Sequence, residues 1–279
     1  MAGNCKEEKL DGVGGLKIHA RSWRPDGKAK AVVVIVHGFN SHSGHYFWVA
    51  DQLVGAGFAV YALDLRGRGL SDGERYYVEK FAEYQSDIDM LVKLARSREP
   101  GLPLFMMGHS AGGVNACVYT LDHQAEIAGL ICESFAYRVP APDFALAVLK
   151  GLSHVAPHAH VLKLPKEQFS RDPAAVKALI DDPLIENEVQ PTKTVAEMVR
   201  ADERLKREFP AFTLPLLIIH GTKDTVTKPE GSKEFYERAS SADKTLKLYD
   251  GYFHDPLNDI GKEVVMNDIK AWIAKRLPA

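Results

Sequence analysis

One serine in the sequence lies between glycines directly after an apolar run. The pattern GHSAG (108–112) has the spacing G-x-S-x-G and follows the run LPLFMM (102–107). Where a strand turns sharply into a helix, such a serine exposes its hydroxyl at the carboxyl end of a sheet, and the glycines leave room for the neighbouring backbone. We therefore predict that Ser110 is a nucleophile, with a purely structural glycine–serine turn as the alternative.

A nucleophilic serine needs two partners. A base must accept the hydroxyl proton, and an acid must orient the base. Enzymes with this strand–turn–helix motif carry the three residues in the order serine, acid, histidine. Beyond residue 220 the only histidine is His254, in LYDGYFHDPLND, and we predict that it is the base. Asp224, which follows an apolar run in LLIIHGTKDTVT, is the predicted acid, and Glu133 is the alternative.

Attack on a carbonyl also requires N–H donors for the oxygen that becomes negatively charged. Ala111 N–H lies at the start of the helix expected after Ser110, where the helix dipole is positive. A second donor is expected from the loop after the run 31–36, and we predict Phe39 N–H in VIVHGFNSHSGHY. His37 in that loop is predicted to be structural, since it precedes the serine in the chain.

The sequence indicates neither a metal nor a cofactor. His154, His158 and His160 lie close together, but prolines surround them and no carboxylate or cysteine has a matching spacing. There is no glycine-rich phosphate loop, and no dinucleotide fingerprint follows the first strand. We predict chemistry by side chains and backbone alone.

The elements that position these residues are indicated by apolar runs of strand length. They lie at 16–23, 31–36, 58–63, 102–107, 127–132, 214–220 and 245–249. Most are continuous rather than alternating, which is typical of strands covered on both faces. Segments of helical periodicity, such as 79–98, lie between them. The fold class is therefore predicted to be α/β, with a mostly parallel central sheet and helices on both faces.

This alternation stops after Cys132 and resumes near Leu214. The interval 135–209 is predicted to be a mainly helical cap, inserted into a core formed by 1–134 and 210–279. Its first half carries apolar residues that could line a binding mouth or could simply hold the cap on the core. These residues are Phe144, Leu146, Val148, Leu149, Leu152 and Val155.

Composition excludes several classes of protein. The 279 residues contain 35 Lys+Arg and 37 Asp+Glu, a balance that does not favour nucleic-acid binding. The three cysteines, Cys5, Cys117 and Cys132, do not form a disulfide or metal pattern. The sequence shows neither a signal-peptide core nor an apolar run of membrane-spanning length. A cytoplasmic location is predicted.

The sequence resembles the serine α/β-hydrolases, and within them the monoacylglycerol lipase and lysophospholipase-like group. The likeness covers almost the whole chain and rests on HGFNSHSGHY (37–46), DLRGRGLSDGER (64–75), PGLPLFMMGHSAGG (100–113), DDPL (181–184), HGTKD (220–224) and DKTLKLYDGYFHDPLND (243–259). The resemblance implies an α/β-hydrolase fold with Ser110, Asp224 and His254 as the triad. It also implies oxyanion donors at Phe39 and Ala111, and a cap that admits an acyl chain and can rest on a membrane surface.

Two features depart from that group. Ala111 stands where the group usually has methionine, which keeps the N–H and frees volume beside the acyl site. Ser41 and His45 stand where animal monoacylglycerol lipases have Glu and Arg, which help to hold the glycerol end. The predicted substrate contacts of this chain are Ser41, His45, His109, Phe144 and Leu149.

Together these observations predict a carboxylic ester hydrolase that acts through an acyl-enzyme. The expected substrate is a monoacylglycerol, a lysophospholipid or a comparable small apolar monoester. Two alternatives stay open: hydrolysis of an amide, thioester or carbon–carbon bond on the same triad, and a ligand-sensing relative with little turnover. Peripheral membrane contact through the cap and a homodimer are both compatible with the sequence.

Overall fold

The computed structural model describes residues 5–278, which form ten strands and eight α-helices, with short 3-10 turns between them. The strands are β1 (Cys5–Asp11), β2 (Lys17–Trp23), β3 (Ala31–Val36), β4 (Phe58–Leu63), β5 (Leu104–His109), β6 (Gly129–Glu133), β7 (His160–Leu162), β8 (Gln190–Pro191), β9 (Leu216–Gly221) and β10 (Lys244–Tyr249). The helices are α1 (Phe47–Gly55), α2 (Phe81–Arg98), α3 (Ala111–Asp122), α4 (Asp143–Leu152), α5 (Pro173–Asp181), α6 (Thr192–Glu208), α7 (Pro229–Arg238) and α8 (Lys262–Ala274).

Eight strands form one sheet in the order β1-β2-β4-β3-β5-β6-β9-β10. The pairs β1/β2 and β2/β4 are antiparallel, and all other neighbours in this sheet are parallel. Helices α1 and α8 pack on one face, whereas α2, α3 and α7 pack on the other. The predicted α/β-hydrolase fold, with a mostly parallel sheet between two layers of helices, is confirmed.

Strand β3 shows why the apolar runs are continuous. Val32 and Val34 belong to the core on the α2 and α3 side, and Val33 and Ile35 belong to the core on the α1 and α8 side. Successive side chains of a strand point to opposite faces, and here both faces are covered. Apolar residues are therefore required at every position.

Strands β5 and β9 begin slightly later than predicted, directly after Pro103 and Pro215. Proline has no N–H to donate to a neighbouring strand, which disfavours it inside a central strand. Its carbonyl still contributes: Pro103 O accepts a hydrogen bond from Val32 N at 2.9 Å. Strand β5 then continues to His109, so that its end adjoins Ser110.

Strand β1 was not predicted. It pairs with β2 in an antiparallel register from Cys5↔Trp23 to Asp11↔Lys17. Its sequence CKEEKLD is mostly charged, and its residues are exposed or half-buried. An outermost strand of this kind lacks the apolar pattern that identifies the central strands.

Between β6 and β9 the chain leaves the main sheet and forms α4, β7, α5, β8 and α6. We call residues 135–209 the inserted segment. Helix α6 buries Val195, Met198 and Leu205 and contacts α3 and α2, whereas α4 contacts α6 and remains largely exposed. Among residues 5–278, no helix is both long enough and apolar enough to cross a membrane.

Candidate active site

Ser110 lies in the turn between β5 and α3 with a strained backbone. Its φ of 55° and ψ of −122° are rare for a residue with a side chain. A Cβ on Gly112 would lie 2.1 Å from Val36 O, and one on Gly108 would lie 2.4 Å from Gly112 O, so neither position accepts another residue without movement. Ser110 N donates to Glu133 O at 2.9 Å, which ties the turn to β6.

The structure brings the three predicted triad residues together. Ser110 Oγ lies 2.9 Å from His254 Nε2, and His254 Nδ1 lies 2.8 Å from Asp224 Oδ2. Asp224 follows β9 and His254 follows β10, so both residues lie at the carboxyl end of the parallel strands, as Ser110 does. With Nδ1–H donating to Asp224, His254 Nε2 is free to accept the Ser110 proton.

Asp224 is held by several donors. Its Oδ1 accepts hydrogen bonds from Val226 N at 2.8 Å and Thr227 N at 2.9 Å, and its Oδ2 accepts one from Thr227 Oγ1 at 2.7 Å. Burial opposes ionisation, but the proximity of His254 and hydrogen bonds from His220 and His254 outweigh it and hold the pKa of Asp224 well below its usual range. The acid is therefore charged and fixed in position.

Glu133, the alternative acid, has a different environment. Its carboxylate accepts the Leu257 N–H at 3.0 Å, and it makes no hydrogen bond to His254 within residues 5–278. Burial, together with the charge of Asp255, raises the pKa of Glu133 well above its usual value. The geometry therefore favours Asp224 as the partner of His254.

The two predicted oxyanion donors belong to segments that adjoin Ser110. Ala111 is the first residue of α3. The turn before Phe39 packs tightly on the nucleophile, because a Cβ on Gly38 would lie 2.9 Å from Ser110 Cβ. Within residues 5–278, neither Phe39 N–H nor Ala111 N–H donates a hydrogen bond to a protein group. Both are free to receive a substrate oxygen.

Two predicted substrate contacts belong to what we call the 37–46 loop, which follows β3. Ser41 Oγ lies 3.2 Å from His45 Nδ1, and His45 Nε2 lies 2.7 Å from Asp182 Oδ2. His42 Nε2 lies 2.8 Å from the same oxygen. Asp182 belongs to the inserted segment, so this cluster joins the two parts of the chain. Contact of Ser41 and His45 with substrate stays a prediction.

The other three predicted contacts lie in two places. His109 is buried beside the triad, where its Nε2 lies 3.0 Å from His254 O and where burial lowers its pKa. Phe144 and Leu149 lie on α4; Phe144 is 73% exposed and Leu149 is half-buried. Their contact with substrate also stays a prediction.

Two groups of side chains have the composition of a metal site: His42 with His45 and Asp182, and His109 with Glu133 and Asp255. In the first group Gly44 N–H donates to His42 Nδ1 at 3.0 Å, which places the ring proton of neutral His42 on Nε2. That nitrogen would have to lose its proton to bind a metal. The hydrogen bonds of this group fit a carboxylate with two imidazole donors. In the second group, His109 Nε2 already faces a carbonyl oxygen.

Sequence reasoning missed His220, which is buried at the end of β9. Its Nε2 lies 3.0 Å from Asp224 Oδ2, and its Nδ1 lies 2.7 Å from Ser232 Oγ. In HGTKD a histidine ends an apolar run four positions before the proposed acid, and this spacing could have indicated that His220 lies near Asp224. It also missed Phe169, whose ring packs edge-on against His254 at a centroid distance of 4.9 Å.

The inserted segment also borders a cleft of about 450 Å³. The cleft lies between α4, α6 and the loop after β6, and its lining includes Tyr137, Leu146, Val199 and Lys228. Ser110 is not part of this lining and is only 3% exposed. The nucleophile is therefore shielded in this conformation.

Comparison with known proteins agrees with the geometry. The family model Hydrolase_4, described as serine aminopeptidase, S33, matches residues 27–261. The chain is similar to the monoacylglycerol lipase of Mycolicibacterium smegmatis (34% identity, covering 97% of this chain and 98% of that protein). It is also similar to the Homo sapiens monoglyceride lipase (31% identity, 94% of this chain and 88% of that protein).

Among solved structures, the crystal structure of Paleococcus ferrophilus monoacylglycerol lipase superimposes with a TM-score of 0.84. The two share 31% sequence identity, and the match covers 93% of this chain and 99% of that one. Fold, site geometry and similarity over nearly the full length thus agree. The chain belongs to the Hydrolase_4 (S33) family of serine α/β-hydrolases, and it is a carboxylic ester hydrolase of the monoacylglycerol lipase-like group.

Proposed function

We propose that the protein hydrolyses monoacylglycerols and comparable small apolar monoesters through an acyl-enzyme on Ser110. The observation that carries this proposal is the hydrogen-bonded chain from Ser110 Oγ through His254 to Asp224, with two free N–H groups beside it. Relatives named monoacylglycerol lipase, which align over nearly the full chain, support the substrate class.

In the proposed mechanism Ser110 Oγ attacks the ester carbonyl while His254 Nε2 takes its proton. Phe39 N–H and Ala111 N–H donate to the oxyanion, and the positive end of α3 adds to their effect. His254 Nε2–H then protonates the departing alcohol. The same imidazole removes a proton from water, which attacks the acyl-enzyme and releases the acid. Asp224 keeps Nδ1 protonated throughout.

We further propose that the inserted segment acts as a cap over this site. Phe169 covers His254, and both Ser110 and His254 are buried. A substrate with an acyl chain must therefore enter by movement of this segment relative to the core. The mixture of half-buried and exposed apolar residues on α4 supports an entrance there, with Leu149 as a proposed contact of the acyl chain.

One face of the inserted segment supports contact with a membrane surface. Its exposed apolar side chains are Phe144, Val148, Leu152 and Val155, with 73%, 66%, 38% and 81% exposure. Phe144, Val148 and Leu152 are four residues apart on α4 and so share one side of it.

We expect the enzyme to sediment with phospholipid vesicles and the double variant Phe144→Ser/Val148→Ser to lose this binding. Val264→Ser, at an exposed apolar site on α8, is the control. A homodimer covering the face would instead appear as a larger species in size-exclusion chromatography.

We also infer a cytoplasmic location. Cys5, Cys117 and Cys132 are all free thiols. Free cysteines are typical of compartments that keep thiols reduced, and disulfides are rare there. Fractionation of the producing cells, followed by immunodetection, would test the location; recovery in the secreted fraction would contradict it.

A substrate panel tests the reaction. It compares monoacylglycerols of short, medium and long chain with lysophosphatidylcholine, and matched ester, thioester and amide substrates, with and without detergent. We expect fatty acid release from monoacylglycerol, and loss of this activity by a factor of about 10⁴ or more in Ser110→Ala. Labelling by a fluorophosphonate should disappear in the same variant. Retained activity in Ser110→Ala would sink the mechanism.

The panel also separates the alternatives. Preferred turnover of the amide or thioester substrate would reassign the bond that is cleaved. A ligand that binds tightly and is recovered unhydrolysed would favour a sensing role. Similar rates for every ester would support a general carboxylesterase and contradict a preference for monoacylglycerol.

A further inference from the structure

A buried ion pair contacts the 37–46 loop and has no part in the mechanism above. Arg68, in the loop after β4, pairs with Glu188 of the inserted segment, and each side chain is 1% exposed. We propose that Glu188 and Arg68 are positioning residues for the oxyanion donor Phe39. This inference rests on the proposed function, because it concerns the same site.

Glu188 fixes the backbone directly after Phe39. Its Oε1 accepts the Asn40 N–H at 2.9 Å, and that N–H belongs to the peptide group joining Phe39 to Asn40. Asn40 has a φ of 51°, in the left-handed region that residues with side chains seldom occupy. On the other side of Phe39, Gly38 is packed against Ser110. Phe39 is therefore held at both ends, and a charged acceptor from the inserted segment provides one of the two restraints.

Arg68 fixes the Phe39 side chain. Its guanidinium carbon lies 4.5 Å from the centroid of the Phe39 ring, in a cation–π contact. Arg68 Nη2 donates to Gln190 Oε1 at 2.6 Å, and Gln190 Nε2 donates to Glu188 Oε1 at 2.6 Å. A buried charge of either sign is costly alone, so Arg68, Gln190 and Glu188 are stable only as a set.

The members of this set come from different parts of the chain. Arg68 and Asn40 belong to the core, whereas Glu188 and Gln190 belong to the inserted segment. An oxyanion donor acts only when its N–H lies within hydrogen-bonding distance of the developing charge. Phe39 N–H is therefore held in position for the oxyanion while Glu188 accepts the Asn40 N–H. Displacement of Glu188 removes this restraint from the 37–46 loop.

The first experiment compares Glu188→Ala with Asp87→Asn. Asp87, on α2, forms another buried ion pair, in which its Oδ2 lies 2.7 Å from Arg66 Nε. Asp87→Asn therefore controls for the loss of a buried charge. We expect Glu188→Ala to lower kcat about 10- to 100-fold with KM changed less than about threefold, because an oxyanion contact acts mainly in the transition state. The Ki of a trifluoromethyl ketone, which forms a tetrahedral adduct with Ser110, should rise by the same factor as kcat falls. In Asp87→Asn both values should stay within about twofold of wild type.

Removal of Glu188 alone leaves the buried charge of Arg68 without its partner. A matched pair of double variants avoids this effect. Arg68→Met/Glu188→Gln keeps an acceptor for Asn40 N–H, whereas Arg68→Met/Glu188→Leu removes it, and both are free of charge at this site. We expect the Leu variant to have about a tenfold lower kcat and a correspondingly higher Ki than the Gln variant. This pair decides the question if Glu188→Ala does not fold.

Equal kcat and Ki values in the two double variants would overturn the inference, as would an equal loss in Asp87→Asn. The proposed function fails in a different way. A wild-type protein that turns over no ester would refute it, whereas an active wild type with unchanged variants refutes only the positioning role.

Discussion

The two sides of the active site are held in different ways. The proposed triad lies at the carboxyl ends of β5, β9 and β10, and main-chain groups restrain it: Ser110 N–H donates to Glu133 O, and Asp224 accepts two backbone N–H groups. The 37–46 loop is restrained by side chains of the inserted segment, which contact Asn40, His42 and His45. The sheet therefore holds the ends of the triad strands, whereas the loop carrying Phe39 is restrained in part by the inserted segment.

Among the variants that compare the two sides, the largest effect is expected on the triad side, from Asp224→Asn. The amide can donate to His254 Nδ1 and so stabilise the tautomer that carries its proton on Nε2, which cannot accept the Ser110 proton. We expect kcat/KM for p-nitrophenyl butyrate to fall about 10³- to 10⁴-fold. Asp250→Asn, in the exposed turn after β10, is the control and should match wild type. A loss below about tenfold in Asp224→Asn would show that Asp224 does not orient the base.

The second prediction concerns the contact between the two sides. In Gly38→Ala the new Cβ would lie 2.8 Å from His109 O and 2.9 Å from Ser110 Cβ, so the turn carrying Phe39 N–H must move. We expect kcat to fall about 10- to 100-fold, with a smaller change in KM. Gly27→Ala is the matched control, since nothing lies within 4 Å of its added Cβ. Wild-type kcat in Gly38→Ala would contradict the assignment of Phe39.

A smaller effect is expected where the inserted segment meets His42 and His45. The pKa of Asp182 lies below its usual value. Burial alone would raise it, but the hydrogen bonds from His45 and His42 together have the larger, opposite effect. Asp182→Asn weakens both bonds, and we expect Tm to fall by about 2–4 °C near neutral pH, which corresponds to ~1 kcal/mol in a chain of this size. The neighbouring Asp181→Asn, at an exposed position, should change Tm by less than about 1 °C.

The pH dependence of this difference follows from the sign of the shift. A carboxyl group whose pKa is lower in the folded state stabilises the fold above its unfolded pKa of about 4. The stabilisation is lost as the pH falls below that value. The Tm difference between wild type and Asp182→Asn should therefore persist from neutral pH to about pH 4 and shrink as the pH falls further. A difference that does not shrink below about pH 4 would exclude ionised Asp182 as the cause.

The smallest effect is expected from Glu133, on the triad side but outside the triad. Burial raises its pKa, so the folded state retains a proton that the unfolded state releases above about pH 4.3. Rising pH therefore destabilises the wild type, and Glu133→Gln, which keeps an acceptor for Leu257 N–H, removes that penalty. We expect the variant to have the higher Tm, by an amount that grows with pH. Glu237→Gln, exposed on α7, is the control, and a lower Tm in Glu133→Gln at alkaline pH would contradict the assignment.

The same contrast explains how much was predictable from the sequence. Continuous apolar runs identified the central strands, because both faces of the sheet are covered. The grouping of Ser110, Asp224 and His254 was predictable because the proposed chemistry requires particular residue types in a particular order after strands. Strand β1 was missed because its charged residues need only backbone pairing to form a strand.

The restraints on the 37–46 loop could not be predicted in this way. Asp182 and Glu188 act through contacts with residues about 140 positions earlier in the chain, at His42 and Asn40. Such contacts leave no periodicity in the sequence, and a charged residue in a helical segment is usually solvated. His220 was only partly predictable. Its strand was predicted from the apolar run, but its hydrogen bond to Asp224 was not.

Strand β1 has a consequence for behaviour at high concentration. It borders one edge of the sheet with Lys6, Glu7, Glu8, Lys9 and Asp11. Adding a strand from another molecule at this edge would bury part of that charge, which disfavours intermolecular sheets. At the opposite edge β10 carries Lys244 and Lys247. Both ends of the sheet thus resist growth into fibrils, and copies of this chain that associate should do so through helices or the inserted segment.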